Sequence, residues 1–200
     1  MLLGLTGGYC AGKNAAAAIL EKLGWLCIDV DRLGHEAIDR AQETIVARFG
    51  EGIIGPEGRI DRRALAAILF SDPAALAAQE AIIHPIAIEL LDERIAAAQR
   101  AVEQSGGEAR ICINAALLYV APQARRCDLI LEIRAPLWIR LRRAKIRDGS
   151  GVLASLRRML RQRGLWKKRR SIGPAVQFIS NRGSLEQFER RLRRALDRAV

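Results

Sequence analysis

The stretch Gly7-Gly8-Tyr9-Cys10-Ala11-Gly12-Lys13-Asn14 holds the residue types from which a protein builds a phosphate cradle. Glycines at 7, 8 and 12 let the backbone turn so that successive N–H groups point at one anion. Lys13 supplies a fixed positive charge suited to the β- and γ-phosphates of a nucleoside triphosphate. The usual spacing, Gly, four residues, Gly, Lys, ends in Ser or Thr, whose hydroxyl meets magnesium. Here that place holds Asn14. Magnesium accepts neutral oxygen ligands, so the Asn14 amide oxygen can hold the ion or one of its waters. Asn14 is read as a modified magnesium contact. The plain alternative for the loop is a Gly-rich strand-to-helix turn, and the context of strand, loop, Lys and helix argues against it.

A second candidate is the pair Asp29 and Asp31, which follows the apolar segment "WLCID". A carboxylate beyond the second strand of a parallel sheet faces the same edge as the glycine loop. Asp31 can orient an acceptor hydroxyl and take its proton. It can equally cap the helix that follows. Asp29 either meets a magnesium-bound water or simply ends the strand.

These groups need elements to hold them. "LLGLT" before the loop reads as a buried strand, and "KNAAAAILEKLG" after it as a helix stopped by Gly24. "WLCID", "ARICINAALLY", "CDLILEI" and "AVQFIS" are the other strand candidates. One helical stretch runs from Asp31 to Gly50. Residues 60–104 are nearly all helical, with Asp61 capping one helix and Ser71 or Asp72 capping the next before Pro73. "SGVLASLRRMLRQRG" reads as a polar helix with little apolar face, and "SLEQFERRLRRALDRAV" as an amphipathic terminal helix. Strands alternating with helices predict an α/β fold with a parallel sheet covered on both faces.

The composition fits. The chain has 200 residues, half of them hydrophobic, enough for one large domain. No apolar run is expected to cross a bilayer and no signal peptide is expected, so a cytoplasmic protein is predicted. Cys10, Cys27, Cys112 and Cys127 lack zinc-site spacing, and Cys27 and Cys112 are expected to be buried. The 33 Lys and Arg against 22 Asp and Glu, net +11, favour anionic partners. The scarcity of aromatics speaks against nucleic acid.

Taken in order along the chain, these segments resemble the dephospho-CoA kinase family. The resemblance is carried by "GLTGGYCAGKN", "IDVDRLGH", "FGEGIIGPEGRIDRRALAAILF", "IIHPI", "INAALLY", "RDG" and "ISNRGSLEQF". It implies a P-loop nucleoside-kinase-like architecture in one domain, with a core at about 1–30, 108–135 and 174–200, a helical CoA-side region at about 31–107 and a lid at about 140–172. It implies ATP-dependent phosphorylation of the ribose 3′-hydroxyl of dephospho-CoA, with Mg²⁺. It places ATP on Thr6, Gly7, Gly8, Cys10, Ala11, Gly12, Lys13, Asn14, Ala15, Arg143 and Asn181. It places the second substrate on Asp31, His35, His84, Asn114 and Leu117, and catalysis on Asp31, Lys13, Arg143 and Arg147. Magnesium falls to Asn14, with Asp29 or Asn114 acting through water. Arg140, Arg142, Arg157 and Arg158 are expected to face solvent. No nucleic-acid or membrane partner is expected, and a monomer is favoured.

The chain departs from the family pattern at several places. Asn14 replaces Ser or Thr, Asn114 replaces Asp, Ala116 replaces Pro and Val120 replaces Glu; Ile88 stands where Arg is usual, and Arg140 where Gln is common. Two of these changes, at 14 and 114, both install an amide, which suggests a coordinated variant of the site. The rival readings are another small-molecule kinase with the same loop, or a degenerate nucleotide-binding protein without turnover.

Overall fold

The computed structural model describes residues 1–104, 106–149, 151–161, 169 and 171–198. Five strands form one parallel sheet: β1 (Leu2–Gly7), β2 (Leu26–Asp29), β3 (Ile111–Asn114), β4 (Leu129–Arg134) and β5 (Ala175–Ser180). Their spatial order is β2-β3-β1-β4-β5. β1 is central and buried along its whole length, which is why it reads as an uninterrupted apolar run. The edge strands β2 and β5 are only partly buried. Every strand points its C-terminal end the same way, so one rim of the sheet collects the ends of all five.

Eight α-helices complete the described chain: α1 (Lys13–Lys22), α2 (Val30–Arg40), α3 (Gln42–Phe49), α4 (Arg62–Ser71), α5 (Pro73–Gln104), α6 (Leu137–Asp148), α7 (Val152–Arg161) and α8 (Leu185–Asp197). Asp61 caps α4 by accepting from Arg63 N at 2.8 Å and Ala64 N at 3.3 Å. Asp72, not Ser71, caps α5: its carboxylate accepts from Ala74 N at 2.8 Å, while Ser71 Oγ donates back to Ile68 O. Ser184 caps α8 by accepting from Gln187 N.

Three sequence expectations need correction. The single helix across residues 31–50 is two, α2 and α3, with a break at Ala41 that no residue type there announces. The third strand ends at Asn114 rather than running through "AALLY". Ala115 N still bonds Leu5 O, but the segment beyond forms 3-10 turns at Leu118–Val120 and Pro122–Arg126. The polar helix α7 does have a buried stripe, Ser155 and Met159, spaced one turn apart.

The chain divides into two compact units, Met1–Asp29 with Ala97–Val200, and Val30–Ala96. In the first, Leu3, Leu5, Leu20, Phe188 and Leu192 form the buried core against the sheet. In the second, Ile45, Ile53 and Leu65 are buried, and exposed ion pairs join Arg40 to Glu93 (3.0 Å), Arg94 to Glu36 (3.1 Å) and Arg62 to Asp39 (3.3 Å). Of the expected lid, residues 150, 162–168 and 170 lie outside the described residues.

The expectation that no segment could span a bilayer also needs correcting, because α5 is long and apolar enough to do so by length and composition. Its 32 residues include Pro85, which has no N–H for the Ala81 carbonyl, and charged positions that pair with α2. Cys112 and Cys127 are buried while Cys27 is only half-buried, and burial pushes the Cys127 thiol up to about 12.

Candidate active site

The loop between β1 and α1 is shaped by two tight features. Ala11 N donates to Gly8 O at 2.8 Å, closing a turn over Tyr9 and Cys10, with Cys10 at φ 57. Gly12 has φ 103, and a Cβ there would collide with Asn181 Nδ2. Glycine is required at this position twice over, by conformation and by space. Gly12→Ala is expected to lower the unfolding free energy by about 2 kcal/mol, roughly the left-handed backbone penalty with Asn181 displaced as well. Urea unfolding of both proteins measures it.

The loop carbonyls are held from outside. Asn181 Nδ2 donates to Ala11 O at 2.9 Å, and Arg143 Nη1 donates to the same oxygen at 3.1 Å. Arg143 Nη2 also donates to Asn181 Oδ1 at 3.2 Å. Arg140 Nε donates to Tyr9 O at 2.7 Å. With these carbonyls occupied, the N–H groups of Cys10 and Gly12 make no hydrogen bond among the described residues. Such unpaired loop N–H groups, at the start of a helix, are what an anion site requires.

At the rim of the sheet, Lys13 Nζ donates to Asn114 Oδ1 at 2.7 Å. Asn114 is 3% exposed and stands in register with Leu5 on one side and Asp29 on the other. The ends of β2 and β3 thereby bring an acid and an amide side by side, and the loop lysine reaches that amide. Among the described residues no group of three or more His, Cys, Asp or Glu could hold a metal ion. Asn14 and Ala15 lie exposed in the first turn of α1.

The remaining candidate residues sit on several elements. Thr6 is fully buried and its hydroxyl donates to Ala116 O at 3.4 Å, so its side chain is occupied in pinning the segment after β3. Leu117 is half exposed. Asp31, His35 and His84 belong to the Val30–Ala96 unit and are exposed, the first two on α2 and His84 on α5 just before Pro85. Asp31 is not an N-cap: α2 begins at Val30 and Asp31 lies within its first turn, where a carboxylate is favoured by the helix dipole.

Of the arginines expected in solvent, Arg158 is exposed, but Arg140 is drawn to the loop. Arg140 is half-buried, and burial lowers its pKa. Its guanidinium comes so near Gly8 that a Cβ there would lie 2.8 Å from Nη2. Arg158 Nη1 donates to the Tyr9 hydroxyl at 3.0 Å. Arg147 grips Asp148 with two bonds, 2.7 and 2.9 Å, and with help from the Tyr9 hydroxyl this holds the Asp148 carboxyl well below the usual carboxylate range. Tyr9 and Asp148 are not among the candidate residues read from the sequence, and Arg140 and Arg158 are read there as solvent-facing. For Arg140 the signal was available: 140, 143 and 147 follow helical spacing and so share one face of α6.

The model of the dephospho-CoA kinase family matches residues 1–187. The chain belongs to the dephospho-CoA kinase family. It is 38% identical to a dephospho-CoA kinase of Geobacter sulfurreducens over 194 residues, 96% of this chain and 94% of that one. A Thermus thermophilus protein of known crystal structure is 34% identical, with a TM-score of 0.76, over 100% of this chain and 98% of its own. A Campylobacter jejuni dephospho-CoA kinase structure, 21% identical, shares the fold at a TM-score of 0.69 over 98% of this chain and 95% of its own. Of the residues read from the sequence as departures from that family's pattern, Asn114 meets Lys13 and Arg140 meets the loop.

Proposed function

We propose that the chain transfers the γ-phosphoryl group of ATP to the ribose 3′-hydroxyl of dephospho-CoA, yielding coenzyme A and ADP. The observation that carries this reading is the glycine loop of a dephospho-CoA kinase relative, its carbonyls held by Asn181, Arg140 and Arg143 with Lys13 at its end. In the step itself, the 3′-oxygen forms a bond to the γ-phosphorus while the bond from that phosphorus to the β–γ bridging oxygen breaks. Asp31 orients the hydroxyl and takes its proton. Lys13 leaves the Asn114 oxygen for the β- and γ-phosphates, a charged partner in place of a neutral one. Arg143 and Arg147 balance the charge on the equatorial oxygens, and the lid excludes water that would compete as acceptor. The helical region at about 31–107 is the CoA side, carrying Asp31, His35 and His84, and the reaction takes place in the cytoplasm.

Magnesium fits the oxygen donors at the rim. When bound it supplies charge neutralisation on the phosphates. Asn14 offers an exposed amide oxygen and Asp29 a carboxylate; the Asn114 oxygen is already engaged by Lys13, which ranks it third. A magnesium titration of turnover at fixed ATP separates these roles. Asn14→Ser should retain activity, since a hydroxyl can serve the same ion. Asn14→Ala should need more magnesium for half-maximal rate, and Asn14→Leu, which keeps bulk without oxygen, the most. Equal midpoints for wild type, Ala and Leu would remove Asn14 from the metal site and pass the role to Asp29.

The reaction class is tested by measuring ADP release with ATP and a panel of acceptors: dephospho-CoA, shikimate, gluconate and nucleosides. Release should depend on dephospho-CoA alone. Preference for another acceptor would replace this reading with that of a different small-molecule kinase, and ATP binding without release would leave a nucleotide-binding protein.

A further inference from the structure

Tyr9 is the residue of the glycine loop to which the phosphate chemistry gives no task, yet it is the most connected. Its carbonyl accepts from Arg140, and its hydroxyl donates to the Asp148 carboxylate while accepting from Arg158 at 3.0 Å. The guanidinium carbons of Arg147 and Arg158 stand 5.3 and 5.5 Å from the centre of its ring. Asp148 in turn grips Arg147 with both oxygens. One loop side chain thus gathers the end of α6, a residue of α7 and an arginine assigned to catalysis.

We propose that Tyr9 is a positioning residue: acting through Asp148, it holds Arg147 beside the glycine loop before nucleotide arrives. The inference rests on the reading of that loop as the ATP site. Arg147 and Arg158 leave one positive charge after Asp148 is counted, so the assembled cluster still attracts phosphate. Exposed ion pairs taken singly contribute little. Here the fork-shaped grip of Asp148 on Arg147, the ring beside it and the hydroxyl act together on one side chain. A long arginine that is already ordered does not lose that freedom when the nucleotide binds. Removing the arrangement should therefore cost about 2- to 12-fold in kcat/KM for ATP, the equivalent of ordering one such side chain. A general weakening of the fold would not single out Arg147.

The test combines kinetics with NMR on the full chain. The Arg147 Nε–H signal, identified by its disappearance in Arg147→Met, should exchange slowly with water in the nucleotide-free protein. It should exchange several-fold faster in Tyr9→Leu and in Asp148→Asn, with a smaller change in Tyr9→Phe, which keeps the ring. In turnover, Tyr9→Leu should lower kcat/KM for ATP by the stated factor while KM for dephospho-CoA stays put. In the Arg147→Met background the same change should cost nothing further, because Tyr9 acts through Arg147. An Arg147 signal indifferent to Tyr9→Leu, or a full Tyr9→Leu loss in the Arg147→Met background, would overturn the proposal. A wild-type protein that does not phosphorylate dephospho-CoA would refute the kinase reading instead, and the exchange rates would still decide whether Tyr9 holds Arg147.

Discussion

Lys13→Ala should lower turnover by about 10²- to 10³-fold, the usual cost of removing one fixed group that stabilises transition-state charge. The lysine ends the glycine loop and begins α1, and no other lysine lies in that loop to replace it. The neutral Asn114 holds it in the free protein, so phosphate can draw it away. The fold should survive. The substitution leaves the buried Asn114 oxygen without its lysine, at about 1 to 3 kcal/mol, and the sheet beneath is unaffected. Steady-state rates beside a thermal melt separate the two effects. A normally folded, fully active Lys13→Ala protein would remove the loop from the reaction.

Asp31→Asn should lower kcat by about 10²- to 10⁴-fold, the range assigned to a positioned general base, while ATP binding stays within a factor of a few. The amide keeps the size and can still hydrogen-bond a ribose hydroxyl, but it cannot take the proton. Because Asp31 lies in the first turn of α2 and does not cap it, the substitution removes no helix cap. Calorimetric binding of a non-hydrolysable ATP analogue, beside the rate, distinguishes the roles. Loss of analogue binding with an intact rate at saturating ATP would move Asp31 to the nucleotide side.

What could be read from the sequence follows from where each interaction is local. β1 is buried on both faces, so its apolar run was legible, and the loop after it is a continuous pattern. The bounds of β5 were legible from residues 175–180 alone. The end of β3 was not, because it is set by non-local pairing: β3 leaves β1 after the Leu5–Asn114 pair, while β1 continues to Gly7 against β4. Asn114 could be named as a departure, but not as the partner of Lys13, which lies 101 positions away. Arg140 was legible in principle from its spacing to Arg143 and Arg147, yet a charge-rich helix reads first as solvated. Tyr9 carried no such signal: its contacts exist only once α6 and α7 are laid against the loop.

The central claim is tested most directly by ³¹P NMR of a reaction containing the purified chain, ATP, Mg²⁺ and dephospho-CoA. The account predicts a new phosphomonoester signal, coupled to the ribose 3′-proton, growing in equal amount with ADP and absent when dephospho-CoA is withheld. ADP formed with inorganic phosphate and no new phosphomonoester, or a phosphomonoester at another position, would contradict it.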